Sequence, residues 1–224
     1  MKKIFILLGA SGNLGSYAAK YFLEDDSFDR YYFISRKKVD YSRGALILVD
    51  DLTNEQNVEN GFSNIVKGDD NFYCFLNTIG GYWGGKEIAD TSLSDWQKII
   101  DINLTSSFLI AKYFIQLCKT GLGGSLCMIS ALSGVYPEIN KGAYSISKNG
   151  INYLTKLLAL ENHDKNISVN AIAPYIIDSQ ENREWVKDKT MLIPKENICK
   201  LAQEIFNDPG IKSGNIFELR FSNK

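Results

Sequence analysis

The chain has 224 residues, with 25 lysines and arginines against 26 aspartates and glutamates, so its formal net charge is −1. This length fits one large α/β unit, and the balanced charge leaves no basic excess for a phosphate backbone, which argues against nucleic acid as a partner. Hydrophobic residues make up 45% and charged residues 23%, as in an ordinary globular domain and unlike a disordered or fibrous chain.

The cysteines and the N-terminal segment exclude further classes. The four cysteines contain no C-x-x-C pair and there is one histidine, so we expect free thiols and no metal site. The Met1-Lys2-Lys3 start precedes only five apolar residues, fewer than the core of a secretory signal needs. No apolar stretch reaches the about 18 residues of a membrane span, so we expect a soluble, cytoplasmic protein without membrane contacts.

Strand and helix patterns alternate along the chain. Short apolar runs predict strands at 2–8, 31–34, 45–49, 72–77, 125–129, 168–171 and 215–219. Longer periodic segments predict helices from the first glycine turn to about 24 and at 53–67, 94–101, 104–119, 143–161 and 195–206, with Thr53 and Gln56 as a capping box. The alternation predicts an α/β fold: residues 1–224 form a single Rossmann-type domain, doubly wound, with a parallel sheet of about seven strands and helices on both faces.

A glycine-rich turn joins the first strand to the first helix. Gly9, Gly12 and Gly15 let the backbone approach a ligand closely, and the N–H groups that begin the helix suit a pyrophosphate. The pattern is weak alone, but its place after a strand and before a helix favours dinucleotide binding. The cofactor-binding candidates in this turn are Gly9, Ser11, Gly12, Asn13, Leu14 and Gly15.

The end of the second strand bears on which cofactor is preferred. A carboxylate there would bind the adenosine ribose and repel a 2′-phosphate, whereas this chain has Ser35 and Arg36 followed by two lysines. These cations favour NADP(H), with NAD(H) still possible, and a solvated basic turn is the alternative. Asp51 and Leu52, after the third strand, are predicted to meet the adenine edge, although Asp51 also suits a turn.

Tyr144 and Lys148 are the candidate catalytic pair. Residues four apart on a helix lie one above the other, so these two side chains share a face. An adjacent ammonium stabilises a tyrosinate, and we therefore expect the pKa of Tyr144 to fall toward the range useful for proton transfer.

The whole chain resembles the short-chain dehydrogenase/reductase family, because these motifs follow one another in the order found in that family. The segment Asn77-Thr-Ile-Gly is similar to the family's Asn-Asn-Ala-Gly element, and Ile102-Asn103-Leu104 to the segment with its conserved asparagine. The stretch from Val169 to Pro174 resembles the strand and loop beside the nicotinamide. The family implies hydride transfer between NAD(P)H and a carbonyl, imine or alcohol.

The resemblance also implies roles for single residues. Tyr144 would donate the proton, Lys148 would lower its pKa and bind the nicotinamide ribose, and Asn103 would position Lys148 through a water molecule. The residues expected to contact the adenine side or the nicotinamide are Asn77, Pro174, Ile177 and Ser179, the last replacing the family's usual threonine. The apolar helices 104–119 and 143–161 resemble the family's subunit interfaces, which predicts a homodimer or homotetramer.

One position departs from the family in a way that affects chemistry. The family's substrate-holding serine lies thirteen residues before the tyrosine, and that position is Ala131 here. If strand alternation persists, Ser130 points to the opposite face, and Ser133 needs a bent loop to reach the site. Losing one such donor can cost about 10² to 10³ in rate. The protein would then be a slow general carbonyl reductase, or its small-molecule substrate would not need the donor.

Two alternatives to a general reductase remain open. Dihydropteridine reductase likewise has alanine at this position and a glycine-rich aromatic loop, which the segment 80–85 with Tyr82 and Trp83 resembles, so these rings and Tyr175 are substrate candidates. Ordinary loop packing is the competing interpretation of both rings. The other alternative is a catalytically weak NADP-binding sensor or interaction protein. In an enzyme of either kind, the segment 175–194 is expected to close over the substrate.

Overall fold

A computed structural model describes residues 1–210 and 213–221, and nine strands form within them. In chain order they are β1 (Lys2–Leu8), β2 (Arg30–Ser35), β3 (Ala45–Leu48), β4 (Asn71–Asn77), β5 (Gly123–Ile129), β6 (Ile167–Pro174), β7 (Ile176–Ile177), β8 (Leu192–Ile193) and β9 (Ile216–Leu219). Seven pair in parallel in the order β3-β2-β1-β4-β5-β6-β9, and β7 pairs with β8. The order reverses between β1 and β4, where ligands of such sheets bind outside the carboxyl ends of the strands.

Helices cover both faces of the sheet, which confirms the predicted doubly wound α/β fold. They are α1 (Asn13–Leu23), α2 (Glu55–Ser63), α3 (Leu93–Ile100), α4 (Ser106–Cys118), α5 (Gly142–Glu161), α6 (Gln180–Trp185) and α7 (Lys195–Asn207). The apolar sides of α1 and α7 pack on one face, where Phe22 and Phe206 are fully buried. On the other face, α2, α4 and α5 bury Val58, Phe114 and Ile151.

Two helix boundaries differ from the sequence prediction. The helix α2 begins after Asn54, whose side chain accepts a hydrogen bond from Asn57 N at 3.1 Å, while Thr53 bonds instead to Asp51. The predicted capping box on Thr53 is therefore wrong by one residue. Helices α3 and α4 are not separate, because a single π-turn at Asp101–Thr105 continues one into the other.

The segment 175–194, which has no clear periodic pattern in the sequence, contains several short elements of regular structure. It contains β7, the short helix α6, a 3₁₀ turn at Lys189–Met191 and β8. Ser179 caps α6 by accepting a hydrogen bond from Asn182 N at 3.1 Å. Among the described helices, none combines the length and the apolar character that crossing a bilayer requires.

Candidate active site

Two neighbouring cavities lie at the carboxyl edge of the sheet. The main cavity has a volume of about 570 Å³ and the side cavity about 390 Å³, and both are bounded by Gly12, Thr78, Ile79 and Gly80. Predicted site residues that line the main cavity are Gly12, Asn13, Leu14, Tyr82, Ala131, Tyr144, Lys148, Pro174, Tyr175, Ile177 and Ser179. Those that line the side cavity are Gly9, Ser11, Gly12, Ser35, Arg36, Asp51 and Leu52.

Four predicted site residues line neither cavity: Gly15, Asn77, Trp83 and Asn103. Asn77 is buried and shapes the loop after β4, because its Oδ1 accepts a hydrogen bond from Ile79 N at 3.0 Å. Trp83 is half-buried outside the cavities, unlike its neighbour Tyr82. Of the two predicted loop aromatics, only Tyr82 therefore faces the main cavity.

The glycine turn forms a cradle that side chains would fill. Gly9 has a φ of +86°, and a Cβ on Gly15 would lie 2.0 Å from the Gly9 carbonyl oxygen. Gly12 begins α1 without any side-chain cap, so the first N–H groups of the helix are free to meet an anion. The turn therefore fits a dinucleotide pyrophosphate held by backbone groups.

The side cavity ends at the residues that follow β2. Ser35 is buried and its Oγ accepts a hydrogen bond from Lys37 N at 3.1 Å, which folds the basic turn back on the strand. Arg36 is exposed and lines the side cavity together with Asp51, whose carboxylate accepts a hydrogen bond from Thr53 N. A free guanidinium at this rim suits a phosphate, because its planar donors match phosphate oxygens.

Lys148 is a buried cation, with 4% of its surface exposed. Its Nζ donates a hydrogen bond to Ile129 O at 2.9 Å and lies 5.9 Å from the centre of the Tyr144 ring. Burial lowers the pKa of Lys148 to about 8, because the charged form loses its hydration. The ammonium is thus held between the end of β5 and the tyrosine.

Tyr144 lies in the main cavity with its ring edge against Tyr82, the two ring centres being 5.1 Å apart. Burial raises the pKa of Tyr144, and Tyr82 and the carboxylate of Glu138 raise it further. This direction is opposite to the one expected from the spacing of Tyr144 and Lys148. The reason is that burial removes the hydration that a tyrosinate needs, and Tyr82 and Glu138 disfavour the anion as well.

Asn103 is fully buried within the π-turn. Its Oδ1 accepts from Gly81 N at 3.0 Å, and its Nδ2 donates to Gly81 O at 3.0 Å and to Ser147 Oγ at 3.1 Å. A Cβ on Gly80 would lie 2.8 Å from Asn103 Oδ1 and 2.9 Å from Lys148 Nζ, so both polar groups close around this glycine. Asn103 thereby fixes the loop after β4 against α5.

The absence of a hydroxyl at position 131 leaves two neighbouring serines to consider. Ser130 Oγ donates to Lys148 O at 3.1 Å, so its hydroxyl is engaged by the helix backbone. A 3₁₀ turn at Leu132–Gly134 supplies the bend that Ser133 needs, and Ser133 lines the main cavity together with Ala131.

The remaining lining residues were not predicted as site residues, although some of them belong to the motifs described above. In the main cavity they are Thr78, Ile79, Gly80, Gly81, Ile129, Ser130, Ser133, Glu138, Lys141, Ile176, Glu181, Asn182 and Trp185. In the side cavity they also include Thr53, Lys98, Asp101, Ile102 and Ser106. Many of these residues are next in sequence to a predicted site residue, and this adjacency is the signal from which they could have been predicted. Trp185 and Lys141 carry no such signal, because α6 and the loop before α5 bring them to the rim.

The fold and the site together define a Rossmann-type protein with an elongated ligand site at its switch point. A family model described as Enoyl-(Acyl carrier protein) reductase matches residues 35–197, more than two thirds of the chain. Glucose 1-dehydrogenase 2 of Bacillus subtilis (strain 168) is 36% identical over 121 residues, which cover 54% of this chain and 46% of that protein. The 3beta-hydroxysteroid dehydrogenase 1 of Eggerthella lenta is 36% identical over 123 residues, covering 53% and 47%. The chain thus spans about half the length of these relatives.

Solved structures share the whole fold. ElxO with NADP bound superposes with a TM-score of 0.84 at 23% identity, covering 98% of this chain and 97% of that one. A short-chain type dehydrogenase/reductase from Mycobacterium ulcerans gives 0.83 at 16% identity, covering 96% and 87%. The chain belongs to the short-chain dehydrogenase/reductase family, whose members are NAD(P)-dependent oxidoreductases.

Proposed function

We propose that the chain is an NADP(H)-preferring oxidoreductase that reduces a small conjugated carbonyl compound, with Tyr144 as proton donor. The observation that carries this proposal is the convergence of groups on Gly80. Lys148 Nζ and Asn103 Oδ1 close around it, and it borders both the cavity of Tyr144 and the cavity of the glycine turn. One elongated ligand can therefore reach from Arg36 to the tyrosine.

The cofactor, when bound, supplies a hydride to the substrate carbon. The turn from Gly9 to Gly15 binds its pyrophosphate through backbone N–H groups, and Arg36 binds the 2′-phosphate. Lys148 binds the nicotinamide ribose, and the residues that orient the nicotinamide are Pro174, Ile177 and Ser179. Asp51 and Leu52 contact the adenine, while Asn77 supports the loop behind it.

Tyr144 holds its proton at neutral pH, because burial raises the pKa of its hydroxyl. It can therefore donate that proton to a substrate oxygen that becomes basic as the carbonyl is reduced. The Lys148 pKa of about 8 keeps most of its amine charged at neutral pH, so an ammonium faces the tyrosinate that forms. Asn103 positions this helix through Ser147 and the loop through Gly81.

The rim of the main cavity supports a flat, conjugated substrate. Tyr82, Tyr175 and Trp185 line it with aromatic surface, and segment 175–194 acts as the substrate loop that carries two of these rings. A dihydropteridine-reductase-like activity is the second candidate, favoured by Ala131 and by the contact of Tyr82 with Tyr144. A planar, electron-poor pterin ring would stack on Tyr82, and it would need no second donor because its ring nitrogens take the proton rather than a carbonyl oxygen.

We propose a homodimer or homotetramer in the cytoplasm. Helices α4 and α5 present an apolar face with a groove lined by Phe108, Tyr153 and Leu157, and Tyr153 is 71% exposed. Such a face is typical of an interface, and a second copy of the same two helices is complementary to it by symmetry. The four buried free thiols suit a reducing compartment.

Calorimetric titration with NADPH and NADH tests cofactor binding, and a carbonyl panel that includes isatin, 9,10-phenanthrenequinone and a quinonoid pterin tests turnover. Tyr144→Phe should abolish turnover and preserve cofactor affinity, whereas Tyr153→Phe, an exposed tyrosine on the same helix, should change neither. Cofactor binding without any Tyr144-dependent turnover would favour the sensor alternative, and absence of dinucleotide binding would overturn the proposal.

A further inference from the structure

Ser133 has a hydroxyl that no described contact uses and that is accessible from the main cavity. The residue is 6% exposed and lines the main cavity with Tyr144 and Lys148. Its hydroxyl forms no hydrogen bond with the part of the chain that the structure describes. Because the residue lines the cavity and its hydroxyl has no partner in the protein, this donor is available to a ligand atom in the cavity.

The two neighbouring positions do not offer this donor. Ala131 lines the cavity with a methyl group, and the Ser130 hydroxyl is directed to the Lys148 carbonyl oxygen at 3.1 Å. Within the turn that follows β5, Ser133 is therefore the residue with a hydroxyl available to a ligand.

The turn also holds Ser133 in a fixed position on the catalytic helix. The neighbouring Gly134 O accepts hydrogen bonds from Asn149 Nδ2 at 2.9 Å and from Asn152 Nδ2 at 3.2 Å, both on α5. A Cβ on Gly134 would lie 2.8 Å from Lys148 Cβ, which shows how closely turn and helix pack. The Ser133 hydroxyl is thus preorganised relative to Tyr144 and Lys148.

We propose that Ser133 is a catalytic residue that donates a second hydrogen bond to the substrate oxygen, in place of the hydroxyl absent at Ala131. This assignment rests on the proposed function. The substrate carbon accepts the hydride while the carbonyl π bond breaks, and its oxygen takes the proton of Tyr144. The Ser133 hydroxyl keeps its own proton throughout and stabilises the charge that develops on the oxygen.

The assignment predicts a loss and a rescue. Ser133→Ala should lower kcat for isatin and 9,10-phenanthrenequinone by about 100- to 1,000-fold, the scale of removing one oxyanion donor, with NADPH affinity unchanged. Adding Ala131→Ser to that variant should restore at least part of kcat, because a hydroxyl returns to the same cavity wall. Ser145→Ala is the control, since Ser145 Oγ likewise has no partner but is buried and does not line the cavity.

Binding supplies a readout that does not need turnover. The affinity of isatin for the full chain saturated with NADP⁺, followed by tryptophan fluorescence, should fall about threefold or more in Ser133→Ala, as for a lost hydrogen bond. A Ser133→Ala variant with parental kcat and isatin affinity overturns the assignment, as does a loss that Ala131→Ser does not rescue. A parent chain that binds no dinucleotide instead overturns the proposed function, and the role of Ser133 falls with it.

Discussion

Asn13 Nδ2 donates a hydrogen bond to Glu181 Oε2 at 2.8 Å, which joins the glycine turn to helix α6 of the substrate loop. The contact places a carboxylate beside the uncapped start of α1, where the pyrophosphate is proposed to bind. Hydrogen bonds from its own backbone N–H and from the Ser179 hydroxyl lower the pKa of Glu181, and the bond from Asn13 lowers it further, so the group is charged at neutral pH. A pyrophosphate bound there would compete with this carboxylate for one helix end.

Glu181→Gln should therefore tighten NADPH binding by about three- to tenfold at low salt, since the amide removes the charge and keeps the shape. Calorimetric titration at two ionic strengths measures this, and the gain should shrink as salt screens the charge. Glu184→Gln removes a carboxylate from the same helix outside the cavity and is the control. Unchanged affinity in Glu181→Gln at low salt would contradict the prediction.

Arg36→Ala should weaken NADPH binding by about tenfold or more and leave NADH binding nearly unchanged, because only NADPH carries the 2′-phosphate. The ratio of the two dissociation constants is the measurement. Lys20→Ala, which removes an exposed cation from α1, controls for net charge. Equal losses of affinity for both cofactors would mean that Arg36 does not bind the 2′-phosphate.

Gly80→Ala should lower kcat by about 10- to 100-fold, because the added Cβ pushes on Asn103 Oδ1 and Lys148 Nζ, and small displacements of catalytic groups are costly. Gly81→Ala is the matched control, since its Cβ would meet only the Ile102 side chain, at 3.3 Å. Steady-state kinetics with thermal melts separate a site defect from unfolding. Similar kcat values for the two variants would argue against the proposed geometry.

The buried Lys148 predicts a pH-dependent stability. Its folded pKa of about 8 lies below the ordinary value of 10.5, so below pH 8 the folded state carries a poorly hydrated charge that unfolding relieves. Lys148→Met should stabilise the chain by about 1–3 kcal/mol at pH 7, and the gain should shrink as the pH rises through 8 toward 9.5. Urea unfolding across this range measures it, with exposed Lys156→Met as the control. A gain that is independent of pH would count against a perturbed Lys148.

Leu157→Asp should dissociate the proposed oligomer, because it places a charge on the apolar face of α4 and α5. Light scattering after size exclusion measures the mass of each species. Val66→Asp changes an exposed apolar residue away from that face and should leave the mass unchanged. A parent chain that is monomeric would contradict the prediction directly.

The sheet could be predicted from local sequence patterns, because short apolar runs between helical segments specify a parallel sheet covered on both faces. The strands from β1 to β6 lie within a few residues of their predicted ranges. The capping error at Thr53 arose because Thr and Asn are both good caps, and only the contact of Thr53 with Asp51 decides between them. The π-turn has no sequence signal, since the same residues would also suit an ordinary helix or a short break.

The site is predictable where motifs fix it and not where loops complete it. Tyr144 and Lys148 follow from helix spacing, and the structure brings both to one cavity with Gly12. The direction of the Tyr144 pKa shift does not follow, because it depends on burial and on Tyr82 and Glu138, whose positions are tertiary. The cavity position of Ser133 likewise depends on a 3₁₀ turn that follows the strand.

The π-turn between α3 and α4 makes a single rod with one surplus residue, since Ser106 N donates to Asp101 O five positions earlier. The wide turn takes up this extra residue, so the helices on either side of it keep their phase while the side chains inside it are displaced. Asn103 lies inside the turn and contacts the loop after β4, whereas Phe114 lies beyond it and points into the core. Deleting one residue between Asp101 and Thr105 would restore regular winding and leave Phe114 in the core, but it would remove the displaced position from which Asn103 reaches Gly81. A shortened rod could therefore fold normally and still lose the anchor of the loop after β4.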